Sequence, residues 1–207
     1  VLLARATGRI YEITTALMAA GSDEERMAGA TFPGVYALMA QAYMQKYKVT
    51  EEDLAAVSVK NHYHGTFNNK AQFQFAVTVG DVMRSSKIAD PLKLLDCSLI
   101  SDGAAAVVIT SDENINPPAG GKKPVYITAS EVSTDTLSLH DRKSFTSLSA
   151  VINASLKAYK KAGIKPSDID VAEIHDCFSI AEAIATEDLG FSEKGEGAKD
   201  IAQGKRT

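Results

Sequence analysis

The 207-residue chain reads as an α/β protein, on three observations. Apolar runs of strand length, at residues 104–110, 125–132 and 171–174, alternate with longer stretches of helical periodicity. Turn signals precede the first and last of them, Ser101-Asp102-Gly103 and Pro166-Ser167-Asp168. The last run leads straight into a helix signal, with His175 and Asp176 at the junction. Ligands in open α/β folds bind beyond the carboxyl ends of strands, so a site is expected there.

Taken in order, residues 1–10 hold a strand candidate and 11–20 a weak helix or loop, ahead of the charged stretch 21–26. Val35, Leu38, Met39, Ala42 and Tyr43 recur at i, i+3, i+4, which predicts a helix over 35–47. Thr50 and Asp53 form a capping-box signature, in which two side chains satisfy orphaned N–H groups at a helix start. Leu54 and Val57 carry that helix toward His62. Alternating Phe73, Phe75, Val77 and Val79 predict a strand. Residues 91–96 read as a connector, 104–110 as a buried strand, and 114–121 (with Pro117, Pro118, Gly120 and Gly121) as a linker between domains.

Beyond the linker, 125–132 is a further strand. Leu148, Val151, Ile152, Ser155, Leu156 and Tyr159 make one helical stripe, which Gly163 ends with Pro166 beyond it. Ser179 and Glu182 fit a second capping box, Ile180, Ala183 and Ile184 supply the apolar face, and Gly190 is the stop.

Composition excludes several classes. Apolar and charged fractions of 45% and 23% are ordinary for a soluble domain. A net charge of −4 argues against nucleic acid as the main partner. No apolar run reaches the roughly 20 residues that cross a bilayer, and the start does not resemble a signal peptide, so a cytoplasmic protein without a membrane partner is expected. Cys97 and Cys177 have no CxxC spacing and give neither a disulfide framework nor a metal site. The missing initial Met and the closing Gly204-Lys205-Arg206-Thr207 read as two cut ends.

Six segments carry a resemblance: Gly29-Ala30-Thr31-Phe32-Pro33-Gly34, Lys60-Asn61-His62, Ala71-Gln72-Phe73, Ile88-Ala89-Asp90-Pro91-Leu92, Leu95-Asp96-Cys97-Ser98 running into Ser101-Asp102-Gly103, and Glu173-Ile174-His175-Asp176-Cys177-Phe178. In this order they resemble the thiolase superfamily, in particular its sterol-carrier-protein-type and archaeal acetyl-CoA acetyltransferase members. The resemblance implies a five-layered α/β/α/β/α fold of two similar halves, here incomplete. Residues 1–118 would be the end of the first half, including an inserted loop domain at about 12–95, and 122–207 the beginning of the second. The family's nucleophilic cysteine, its Gly-His-Pro motif and its Cys-x-Gly base are not matched.

The resemblance further implies acyl transfer between coenzyme A thioesters, most simply two acetyl-CoA giving acetoacetyl-CoA and CoA. This chain would be inactive alone. No cofactor is implied beyond the thioester substrate. Family members form homodimers and tetramers, and archaeal ones associate with hydroxymethylglutaryl-CoA synthase in the mevalonate route. A hydroxymethylglutaryl-CoA synthase and a non-catalytic acyl-CoA or lipid-binding protein are the alternatives.

Among single residues, His175 corresponds to a donor of the first oxyanion hole; its other reading is a satisfied strand-end histidine. Ser98 matches a serine against the pantetheine arm, or is an ordinary turn residue. Phe178 is read as core, although its family counterpart lines the acyl pocket. Asp176, Asp102 and Gly103 are read as structural. Cys177, close to a helix start that would lower its pKa, and Cys97 are read as buried thiols rather than nucleophiles. His62 and His64, two apart on a helix, do not share a face, which argues against a metal pair; His140 beside Asp141 is a loop residue. Lys60, Lys70, Arg84, Lys87 and Lys93 outnumber nearby acids and are a candidate field for CoA phosphates.

Overall fold

A computed structural model describes residues 17–18, 21–101, 103–111 and 123–205. The strand candidate at 1–10, most of the weak 11–20 element, Asp102 and the linker at 114–121 lie outside the described residues.

After a short helix α1 (Asp23–Met27), capped by Ser22, comes α2 (Phe32–Tyr47). Thr31 Oγ1 accepts the Gly34 N–H, and Pro33 sits in the first turn, where a missing N–H costs nothing. Met39, Ala40 and Tyr43 form the buried face. Helix α3 (Glu51–Gly65) begins with the expected box: Thr50 Oγ1 accepts the Asp53 N–H at 3.2 Å, and Asp53 accepts the Thr50 N–H at 2.9 Å. It buries Leu54, Ala55, Val57 and Ser58.

Residues 73–78 are largely exposed and irregular rather than a strand. They run along the end of α3, where Phe73 and Phe75 pack on the His62 ring at 6.1 and 5.2 Å. Thr78 caps α4 (Val79–Arg84) with another reciprocal box. A two-stranded antiparallel ribbon follows, β1 (Lys87–Ala89) and β2 (Leu92–Lys93), joined through a cis Asp90–Pro91 bond. The connector region ends in a 3₁₀ turn, Leu94–Asp96.

Helix α5 (Ser149–Ala162) closes at Gly163, which takes the left-handed φ of 70° a C-terminal glycine permits. Ser155 is its buried point, while Leu156 is 63% exposed. Pro166–Asp168 is a 3₁₀ turn. Helix α6 (Ser179–Asp188) is buried along its whole length, and α7 (Gly197–Ala202) packs on α3 and α6. The core lies between α2, α3 and α6, with Tyr43, Met39, Leu54, Leu92, Ile180 and Ile184 the largest fully buried side chains in it among the described residues.

The strands expected at 104–110, 125–132 and 171–174 are the main correction. Residues 104–110 are exposed and unpaired, and 125–132 and 171–174 are not strands either. A strand leaves its N–H and C=O groups unsatisfied until a neighbour pairs with them. No neighbouring strand stands beside these segments among the described residues, so their apolar side chains, Val108 at 98% and Val125 at 95%, face outward.

Candidate functional site

The run from Val171 to Phe178 meets the core only at its end. Phe178 bridges Cys97 in antiparallel fashion, and the Ser98 N–H donates to the Cys177 carbonyl at 2.9 Å. These contacts bring the Leu95–Ser98 and His175–Phe178 segments side by side.

The capping box expected of Ser179 and Glu182 does not form. Phe178 is the N-cap, with extended backbone and no side-chain cap. Ser179 is one residue inside the helix, and its Oγ donates to Asp96 Oδ1 at 2.9 Å. Glu182 accepts from Lys60 Nζ at 2.8 Å and Asn61 Nδ2 at 2.5 Å. Burial is the reason: a desolvated carboxylate needs donors more than an orphan helix N–H needs an acceptor. Asp96 gathers three, the Lys93 N–H at 2.9 Å, Ser179 and, at 3.5 Å, Ser58. Burial still outweighs them and raises its pKa.

Asn61 links this set to the junction. Its Nδ2 also donates to Asp176 Oδ2 at 2.7 Å, and its Oδ1 accepts from Lys60 Nζ at 2.5 Å. Asn61 and Asp176 line both of the adjoining clefts. One, of about 460 Å³, has Ser58, Asp96, Ser98, Ser179, Phe73 and Leu95 on its walls. The other, of about 960 Å³, runs between the end of α3 and residues 166–174.

The expected site residues fall out as follows. His175 is exposed, makes no hydrogen bond to the other described residues and lines neither cleft; Asp176 beside it lines both. Ser98 is exposed on the smaller cleft. Phe178 is buried in the core against Tyr36, ring centroids 4.6 Å apart, and lines neither cleft.

Both thiols are held in their neutral form. Burial, with the Asp96 charge second, pushes Cys97 up to about 11. Burial also raises Cys177, so the helix start expected to lower it is outweighed. His62 and His64 lie on α3 as expected, and His62 Nδ1 is 3.1 Å from the Phe75 carbonyl. His140 is exposed, with Asp141 at 3.5 Å and Glu25 at 3.8 Å.

The candidate phosphate field is a correction. Lys60 pairs with Glu182, Arg84 with Asp81, Lys87 with Asp90 and Lys93 with Glu51. Of the five, only Lys70 is free of a carboxylate among the described residues.

Reasoning from sequence missed the Lys60–Asn61–Asp176–Glu182 set. One signal was available: Glu182 stands among Ile180, Ala181, Ala183 and Ile184, and a carboxylate amid such residues needs a donor from elsewhere.

The thiolase N-terminal domain matches residues 21–113, and the thiolase C-terminal domain-like family matches 131–207. The chain belongs to the thiolase superfamily. It is 48% identical, over 92% of its length, to an acetyl-CoA acetyltransferase of Methanothermobacter thermautotrophicus, of which it covers 50%. The corresponding protein of Methanocaldococcus jannaschii is 47% identical over 93% of the chain, with 49% of that relative covered. Bovine sterol carrier protein 2 is 38% identical over 84% of the chain and 33% of its own length. The chain therefore spans about half the length of the archaeal relatives it matches. Among solved structures, a chain of the Ltp2-ChsH2(DUF35) aldolase superposes with a TM-score of 0.72 at 33% identity, covering 82% of this chain and 45% of that one. The thiolase-like fold is thus present as helices with limited sheet. No helix among the described residues is long and apolar enough to cross a membrane.

Proposed function

We propose that this chain carries part of the acyl-CoA machinery of a thiolase of the acetyl-CoA C-acetyltransferase type. The observation that carries the reading is the 48% identity to an archaeal acetyl-CoA acetyltransferase, sustained over 92% of the chain.

His175 is the oxyanion donor in this reading. A thioester carbonyl gains negative charge as a carbon–carbon bond to it forms or breaks, and a neutral imidazole has one N–H to offer that oxygen. Such a donor is worth about 2.7–4 kcal/mol of barrier. Its exposure, with no hydrogen bond to the other described residues, supports this role, because the ring N–H is left open to a substrate oxygen. Ser98, on the cleft wall beside Asp176, is the proposed contact for the pantetheine arm. Phe178, from its place in the core behind the junction, shapes the acyl side by packing. Cys97 and Cys177 take no nucleophilic part, since the neutral thiol is the poor nucleophile. The acylated cysteine and the basic cysteine then come from outside these 207 residues, and the chain by itself turns nothing over.

Homo-oligomerisation, association with hydroxymethylglutaryl-CoA synthase, a cytoplasmic location and the absence of any cofactor beyond CoA belong to the same reading. The exposed apolar segments 104–110 and 125–132 support contact with further polypeptide.

A second reading has one observation in its favour. The solved relative named an aldolase has the same fold, so the donor at this junction would serve carbon–carbon cleavage without acyl transfer. A thiolysis assay of the complete gene product with acetoacetyl-CoA and CoA separates the two. Acetyl-CoA formation is expected. No turnover with retained CoA binding would overturn it in favour of the aldolase or a non-catalytic binder.

A further inference from the structure

We infer that Asn61 is a positioning residue for His175, acting through Asp176. The inference rests on the acyl-transfer reading above and adds to it a contribution from α3, the helix that faces the junction.

The His175 imidazole makes no hydrogen bond to the other described residues, so what fixes its place in the molecule is the backbone that carries it. That backbone is tethered immediately downstream. Asp176 is held through its carboxylate by Asn61 Nδ2 at 2.7 Å, and Cys177 through its carbonyl by the Ser98 N–H at 2.9 Å. His175 is the residue next to the tethered pair. The Asp176 tether is the one that comes from another helix.

The Asn61 amide has a single workable orientation. Its nitrogen faces two carboxylates, Asp176 Oδ2 at 2.7 Å and Glu182 Oε2 at 2.5 Å, and its oxygen faces the Lys60 ammonium at 2.5 Å. Turned over, the oxygen would meet both carboxylates and the nitrogen the ammonium. Both amide hydrogens and the carbonyl are therefore used where they stand. Lys60 also holds Glu182 Oε1 at 2.8 Å, so the α3–α6 contact has an ion pair that does not depend on Asn61. That division assigns the two residues different work. Lys60 joins the helices, and Asn61 carries the junction's register from α6 to Asp176.

The test uses the complete gene product and the thiolysis assay, with kcat and KM read separately. His175→Ala is expected to lower kcat about 10²–10³-fold. Asn61→Ala should lower kcat by about tenfold or more and leave KM for acetoacetyl-CoA within about twofold, the pattern of an interaction realised in the transition state. In the His175→Ala background, Asn61→Ala should add nothing, because the group it aims has gone. Should Asn61→Ala fail to fold, Asp176 gives the same answer. Asp176→Asn still offers an oxygen to Asn61 and should retain most of the kcat that Asp176→Ala loses.

Two results would overturn the inference while sparing the acyl-transfer reading: unchanged kcat in Asn61→Ala when His175→Ala is impaired, or additive losses in the double variant. Unchanged kcat in His175→Ala would remove that reading and this inference together.

Discussion

Helix α6 and the segment at 104–110 each combine three alanines with several β-branched residues, yet their fates are opposite. All ten residues of α6 are buried, whereas every described residue from 103 to 111 is exposed. A helix closes its own N–H···O=C bonds and then needs only neighbours for its side chains. α6 finds α2, α3, α5 and α7. A strand needs neighbours for its backbone as well, and 104–110 has none among the described residues. Stability should therefore reside in the helical cluster and be nearly indifferent to the exposed segments.

The largest effect should come from Ile184→Ala, which empties a fully buried position at the centre of the core. A loss of about 2–5 kcal/mol is expected, read by urea denaturation of the chain. A loss below about 1 kcal/mol would mean that α6 is not the hub, and the contrast between the two regions would fail.

A smaller change, with a sign that depends on pH, is expected of Glu187→Gln. Glu187 is buried on α6, accepts the Tyr43 hydroxyl and the Gly197 N–H (2.9 Å), and has one oxygen without a hydrogen bond. Burial raises its pKa above the ordinary 4.5, against the opposing pull of those donors and of Lys194 at 3.7 Å. A carboxyl that holds its proton more tightly when folded lends stability below the unfolded value of 4.5, and that stability is lost as pH rises through the folded value. Gln keeps an acceptor for both donors and does not ionise. Relative to wild type, Glu187→Gln should therefore gain stability between acid and neutral pH. Melting curves at several pH values check this, and a constant difference would show that Glu187 titrates alike in both states.

How much of this was legible in the sequence follows the same division. The Thr50–Asp53 box, the helix over 35–47 and the stop at Gly163 are local signals, spelled by residues within a turn of one another, and each element appears where expected. Leu38 of the expected stripe is nonetheless 53% exposed, and Ala37 and Ala40 join Met39 and Tyr43 on the buried face. The Ser179–Glu182 pattern is equally local but misled, because Asp96, Lys60 and Asn61 arrive from more than 80 positions away to claim both side chains. The exposed runs have strand chemistry without the pairing that makes a strand. For the site, the motif segments marked the His175 junction and Ser98, while the Asn61 bridge depends on how α3 meets α6 and no spacing rule reaches across 115 residues.

Thr50→Ala separates these local signals from tertiary packing. It removes one side of the α3 box while leaving Leu54 and Val57 in place. The expected cost is about 1 kcal/mol, or roughly 2–4 °C in melting temperature for a chain of this size. An unchanged melting temperature would mean that packing alone sets where α3 begins.

The smallest effect should come from the most exposed large apolar residue among those described. Val108 is 98% exposed, so replacing it by glutamate removes almost no buried surface from the folded chain. The change in stability should stay within about 0.5 kcal/mol, as for an ordinary surface site. Solubility should move the other way, since an unpaired apolar run is a template for edge-to-edge association and a charge within it opposes that. Light scattering during a concentration series reads the second effect, and denaturation the first. A loss of several kcal/mol would show that 104–110 is paired and buried in solution, making the two regions alike. A stability change near zero with less association would leave the helical cluster as the folding unit, with these runs as surface held ready for further strands.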